Sequence, residues 1–562
     1  MKTNRRSFFQ TLGAGTAGVG IASALPLTSC VREPESPAED DGQILFIGDD
    51  IALADTEYGK VKGFLLRGIT QFRGIPYGAD TGGKNRFLPP QPPKPWDDVF
   101  PAVWWGNTAP QIMDNRYANA YASFADHWNY DDVSEDCLRL NVWTPAVDQG
   151  KRPVLVWLHG GGFTNGSGIE QDGYMGENLS RKGDVVFVSL NHRIGPIGFT
   201  DLSAVGGEKY KDSGNVGVLD IQAALDWVHR NIANFGGDPG NVTIMGQSGG
   251  GAKVCTVSSM PASAGKVHKA VALSGNIIGA VPKNYSEKLG RYIVKEAGLK
   301  ASEVDKLQEI PWKEYILLAN RAAEALIRDE GPSGMMRGSF GPVGDGVHVP
   351  DAPFFSDPGS YSAQIPMILS TTTGEFSPSR TNAALEELSL DQVKEQLAGY
   401  QPYGADLQGK DMGQIVDAYA EAFPERTPTD IWSMILSNRT LVVETANAKV
   451  AQSAPVYLAW FDWQPPLFDK RMRAFHCLDI CFWFNNTDLM LTHTGGGARP
   501  RKLAGSMSDA LLQFMRNGDP NTPSLPVWPT YTLETGEVMM LNDESTVKND
   551  PDREARRMLK NV

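Results

Sequence analysis

Gly246-Gln247-Ser248-Gly249-Gly250 places a serine between residues that have almost no side chains. Val242-Thr243-Ile244-Met245 precedes it and reads as a short buried strand, and the small-residue run Gly249–Ala252 opens a helix predicted to end near Met260. Strand, sharp turn and helix are the context that lifts a serine above a sheet and aims a helix N-terminus at charge developing beside it. Without that context the same pentapeptide is a glycine-rich turn with a solvated hydroxyl. A second glycine turn, His159-Gly160-Gly161-Gly162-Phe163, leaves another apolar run at Leu158. Backbone N–H groups there can turn inward with no side chains in the way, as an oxyanion hole requires.

A nucleophilic serine needs a base, and the chain has eight histidines. His192 and His229 sit beside Arg193 and Arg230, which disfavours a further positive charge, and His159 belongs to the glycine turn. His476 follows the apolar run Val456–Phe461 late in the chain, with His493 as the fallback. The order serine, acid, histidine then asks for a carboxylate after a strand between Ser248 and His476. Glu375 meets this: it follows Ile365–Leu369 and is the only carboxylate between Gly359 and Glu386.

The elements that must position these residues are continuous apolar runs alternating with amphipathic helical stretches. The runs are Val154–Leu158, Val185–Leu190, Val242–Met245, Ala270–Leu273, Met367–Leu369 and Val456–Phe461, and the helical segment Val216–Phe235 is closed by Gly236-Gly237. That pattern predicts an α/β fold with a mostly parallel sheet covered on both faces, whose ligands bind at the carboxyl ends of the strands. Tyr285–Ala352 is more polar and helical and is expected to be an insertion forming part of a lid. An opening β-meander is expected over Ile51–Ile75, then a long loop from Pro76 to about Asn129. Its Trp104, Trp105, Tyr117, Tyr121 and Trp128 either line a gorge for an apolar or aromatic substrate or pack the loop down.

The 562 residues are 41% hydrophobic and 21% charged, with net charge −14 and no long basic run, which argues against a nucleic-acid partner. Residues 1–30 read as an export signal. Arg5-Arg6 precede a Gly/Ala-rich apolar stretch, and Leu27-Thr28-Ser29-Cys30 is a lipobox pattern that makes Cys30 the expected lipidation site. Residues 31–50 are expected to be a flexible tether and 51–562 a single catalytic domain, so membrane contact is expected through the lipid alone and the location is the cell envelope or periplasm. Cys137, Cys255, Cys477 and Cys481 show no disulfide framework and are expected to be thiols, with neither metal nor cofactor required.

Taken together, several segments resemble the type-B carboxylesterases, the family of cholinesterases and bacterial p-nitrobenzyl esterases. They are Phe72–Gly78, Ser134–Val142, His159–Phe163, Gly214–Gly217, Asn234–Pro239 and the Ser248 pentapeptide, within a similarity running from about Ile51 to about Thr532. The resemblance implies an α/β-hydrolase fold with lid insertions. It implies hydrolysis of small to medium esters, aromatic ones among them, through Ser248, Glu375 and His476, with Gly161, Gly162 and Gly249 as oxyanion donors. It also implies buried ion pairs Arg86–Glu135 and Arg193–Asp220, and Ser274 behind the triad. The alternative is a non-catalytic, surface-anchored binding protein on the same fold. The family reads Gly-Glu-Ser-Ala-Gly at the serine, so Gln247 and Gly249 are departures, and Ala109-Pro110-Gln111 stands where the usual partner of Cys137 would be. Cys137 is therefore expected to be a free thiol.

Overall fold

Strands that are apolar on both faces must be covered on both, and that requirement shapes the central sheet. In Arg152–Leu158, residues Val154, Val156 and Leu158 join one buried cluster while Leu155 and Trp157 join the other. Val456–Phe461 splits the same way, with Val456, Leu458 and Trp460 on one face and Tyr457, Ala459 and Phe461 on the opposite one. Successive side chains point to opposite faces, so a helix layer is needed on each.

The structure is a computed structural model that describes residues 42–112, 132–331, 340–398 and 410–559. The expected signal, the lipidation site Cys30, most of the tether, and Tyr117, Tyr121 and Trp128 lie outside the described residues. From Ile44 onward the chain forms one folding unit built on a 12-stranded sheet. Across the sheet the strands run Leu45–Phe46, Phe64–Leu66, Ile69–Pro76, Arg139–Thr144, Val186–Leu190, Arg152–Leu158, Gly237–Gln247, Lys269–Leu273, Met367–Thr372, Val456–Phe461, Glu537–Leu541 and Thr546–Asn549. Pairing is parallel from Val186–Leu190 through Glu537–Leu541 and antiparallel at both margins.

This is the α/β-hydrolase architecture expected from the sequence, with corrections at its margins. The tether was expected to reach residue 50, yet Leu45–Phe46 already pairs with Leu65–Leu66 at the sheet edge. Part of the opening meander, Leu53–Thr56 and Gly59–Lys62, belongs instead to a small separate sheet completed by Phe100–Pro101. The insertion carries the helices Lys283–Glu296 and Trp312–Glu330, each with a buried apolar stripe. Arg86 ties it to the body by donating to the Leu307 and Ile310 carbonyls and pairing with Glu135.

The second expected ion pair is wholly enclosed. Asp220 accepts hydrogen bonds from the Arg193 backbone N–H, Nε and Nη2 at 3.0, 2.8 and 2.6 Å, and both side chains are fully buried. Such multiple charge-assisted bonds are what make an enclosed charge pair tolerable. Cys137 and Cys255 are free, buried thiols whose ionisation burial disfavours.

Candidate active site

The parallel register brings the two glycine turns together. Gly246 pairs with Leu158, so residues 159–163 leave their strand directly beside the turn at Ser248. Gly250 is required there because a Cβ would lie 2.1 Å from the Leu158 carbonyl oxygen. Ser248 itself is held at φ 58° and ψ −127°, a conformation costly for a residue with a side chain. The turn is secured by the Ser248 N–H, which donates to the Leu273 carbonyl at 2.8 Å, and by the helix Gly249–Ser259 that starts immediately after it. Ser248 remains partly exposed, at the carboxyl end of its strand.

Met367–Thr372 ends in the same direction two strands away, and Glu375 follows it, fully enclosed. Glu375 Oε1 accepts from Thr371 Oγ1 at 2.5 Å and from the Thr372 N–H at 3.2 Å. Its Oε2 contacts His476 Nδ1, and the His476 N–H donates to the Glu375 carbonyl at 3.1 Å. The ring of Phe376 is stacked on that of His476, nearly parallel to it, with centroids 6.0 Å apart. Burial pushes the Glu375 carboxyl up, but His476 and the Ser274 and Thr371 hydroxyls bring it below the usual glutamate range. Burial likewise opposes the imidazolium of His476, yet the Glu375 carboxylate against Nδ1 carries its pKa well above the ordinary histidine value. His493, the fallback base, packs 5.4 Å from the Phe475 ring, and burial drives its pKa down to about 3.

Gln247 links the serine turn to the histidine. Its Nε2 lies 3.4 and 3.2 Å from Nδ1 and Nε2 of His476, and its Oε1 accepts from Cys477 Sγ at 3.2 Å. Gly249 faces the other turn, where a Cβ would lie 2.4 Å from the Gly162 nitrogen. Ser248, Glu375, His476, Gly161, Gly162 and Gly249 thus gather at one end of the sheet. Two nearby groups escaped sequence reasoning. Lys253 is buried beneath residues 159 and 160, and Asp479 is enclosed near His476, its carboxyl raised to about 7 by burial and the Glu375 charge. A lysine in a helix and an aspartate after a loop carry no pattern that separates them from solvated charges. Trp105 is no gorge wall: it sits 6.1 Å from the Trp143 ring under the Arg73 guanidinium, whereas Trp104 is exposed.

An enclosed carboxylate fixing an imidazole, a partly exposed serine on a strained turn linked to that imidazole through Gln247, and a neighbouring glycine turn are the groups that acyl transfer uses. The model of the carboxylesterase family matches residues 51–559. The chain belongs to the carboxylesterase family. It is 33% identical over 519 residues to the para-nitrobenzyl esterase of Bacillus subtilis (strain 168), covering 90% of this chain and 98% of that protein. It is 30% identical over 505 residues to the phenmedipham hydrolase of Pseudarthrobacter oxydans, covering 88% and 95%. Among solved structures it resembles an esterase from Clostridium hathewayi reported to hydrolyse aliphatic aromatic polyesters, with a TM-score of 0.75, 31% identity and coverage of 92% and 99%. This carboxylesterase is accordingly a carboxylic ester hydrolase, and the reading of the chain as a non-catalytic binding protein is set aside.

The contact of Gln247 with the histidine of this carboxylesterase yields a signed pH prediction. In Gln247→Glu a carboxylate replaces a neutral amide within 3.4 Å of the imidazole and favours its protonated form. A base must be neutral to accept a proton, so if His476 serves as the base, activity is lost as pH falls through its pKa. The acid limb of kcat/KM should therefore move upward by about 1 unit or more. A pH–rate profile with an unmoved limb would show that residue 247 does not act on the base.

Proposed function

We propose that the chain hydrolyses esters through a covalent acyl-enzyme on Ser248. His476 takes the proton from Ser248 Oγ as it attacks the ester carbonyl and then delivers it to the departing alcohol. Glu375 holds the imidazole with its proton on Nδ1 and stabilises the imidazolium. The N–H groups of Gly161, Gly162 and Gly249 receive the tetrahedral oxyanion. Water, deprotonated by the same histidine, then attacks the acyl carbon, and His476 returns that proton to Ser248 Oγ as the Oγ–acyl bond breaks and the acid leaves. The observation that carries this reading is the enclosed Glu375–His476 pair, brought across the sheet to the serine turn by Gln247. A fluorophosphonate probe should label the chain once, and the labelled peptide should contain Ser248. Labelling elsewhere, or none in active protein, would overturn the assignment.

Small to medium esters, including aromatic ones, are the proposed substrates. The relative named for p-nitrobenzyl esters favours that range, and the structural neighbour reported to hydrolyse aliphatic aromatic polyesters favours the aromatic part of it. A panel of p-nitrophenyl and aryl esters of increasing acyl length reads the preference directly.

We further propose that the protein is exported by its twin-arginine segment and held to a membrane through lipid on Cys30, supported by Arg5-Arg6 and the Leu27–Cys30 pattern. Among the described residues no helix is long and apolar enough to cross a membrane. Each buried methylene of an acyl chain contributes about 0.8 kcal/mol, so more than one chain anchors firmly. Cys30→Ala should move the activity from the membrane fraction to the soluble fraction without changing kcat. Unchanged membrane association would refute the anchor.

A further inference from the structure

Lys253 lies on the helix Gly249–Ser259 that begins at the serine turn, and it is fully buried. A charged amine is expensive in such a place unless its donors are used. Its Nζ donates to the His159 carbonyl at 2.8 Å and reaches the Gly160 carbonyl at 3.4 Å. The Phe163 ring, from the far end of the same turn, lies 5.6 Å from Nζ. The lysine therefore grips the glycine turn from below at both ends.

The grip fixes the direction of N–H groups. In a trans peptide the C=O and the following N–H point opposite ways. Drawing the Gly160 carbonyl toward Lys253 turns the Gly161 N–H away from it, and drawing in the His159 carbonyl does the same for Gly160. The turn is also seated hard against the start of the helix. A Cβ on Gly249 would lie 2.4 Å from the Gly162 nitrogen and 2.8 Å from its Cα, so no side chain fits between them. Oxyanion stabilisation depends on donors fixed before the charge develops, and an error of a few tenths of an ångström weakens them.

We propose that Lys253 is a positioning residue for ester hydrolysis: it clamps the His159 and Gly160 carbonyls and so holds the 160–163 turn against Gly249 with its N–H groups aimed at the oxyanion. This rests on the reading of Ser248 as nucleophile and of the glycine turn as oxyanion hole. The groups facing the amine are Glu170, His159 and His192. Burial and Lys253 itself keep both histidines well below their ordinary pKa, and burial, opposed by Glu170, brings Lys253 to about 7.

The test is Lys253→Met with p-nitrophenyl acetate as substrate and a trifluoromethyl ketone as an inhibitor that forms an oxyanion on the serine. Released carbonyls let the turn relax, so kcat should fall by about tenfold or more with KM changed less than about twofold, and inhibitor affinity should weaken by a factor similar to kcat. Folded Lys253→Met with unchanged kcat, or a loss in stability with inhibitor affinity intact, overturns the proposal. Should that variant fail to fold, the unmodified enzyme decides. The Lys253 13Cε titration should move to higher pH when the trifluoromethyl ketone places an anion across the turn, and an unmoved titration overturns the clamp. Ser248→Ala separates the two readings. If it remains active the nucleophile assignment fails, whereas an inactive Ser248→Ala beside a fully active Lys253→Met removes the clamp alone.

Discussion

Ser248→Ala is expected to yield folded protein whose turnover of p-nitrophenyl acetate is lower by roughly 10⁵-fold or more, because a nucleophile acts as a unit with its base. The substitution removes one oxygen from a partly exposed residue, so packing is barely altered. The Ser248 N–H still reaches the Leu273 carbonyl, and the backbone still follows the same positive-φ turn. Thermal unfolding and circular dichroism should therefore match the parent while the burst of p-nitrophenol disappears. Parent-like turnover in purified Ser248→Ala would mean that the chemistry resides elsewhere.

Glu375→Gln has the next largest expected effect, a fall in kcat of about 10⁴-fold, and the hydrogen bonds around the carboxylate explain why. Oε1 receives the Thr371 hydroxyl and the Thr372 N–H, both donors, so the amide oxygen must take that place. The amide NH2 is then forced toward His476 Nδ1, where Oε2 now accepts. A donor facing Nδ1 moves the imidazole proton to Nε2, the nitrogen that accepts the serine proton in the proposed mechanism. The shape is conserved and the tautomer is wrong. Removing the carboxylate also withdraws the negative charge that raises the His476 pKa, so the residual activity should show an acid limb at lower pH than the parent. Residual turnover near the parent level would exclude Glu375 as the partner of the histidine.

Much of this arrangement was legible in the sequence because it depends on local geometry. A strand followed by a near side-chain-free turn and a helix has few other uses, and Glu375 stood alone after a strand that pairs at a fixed distance from Ser248. His476 and His493 differ only in surroundings that arise on folding, namely a carboxylate partner for one and an apolar wall for the other. Strand limits were legible only to within a few residues. Gly237–Gln247 extends well before the apolar run because Gly237 pairs with Arg152 across a shift of register. Lys253 was invisible for a physical reason. Its partners are backbone carbonyls, which every residue has, so no residue pattern announces them.

The separation of the site along the chain bears on how activity emerges during folding. His476 meets a glutamate 101 positions earlier and a glutamine 229 positions earlier, and these contacts need Lys269–Leu273, Met367–Thr372 and Val456–Phe461 to be in place on one side of Gly237–Gln247. Loop closures of that length are entropically expensive and slow, and parallel pairing cannot begin from a local hairpin. Turnover recovered on refolding should therefore appear only after these long-range strand pairings have closed, later than any local helix or hairpin.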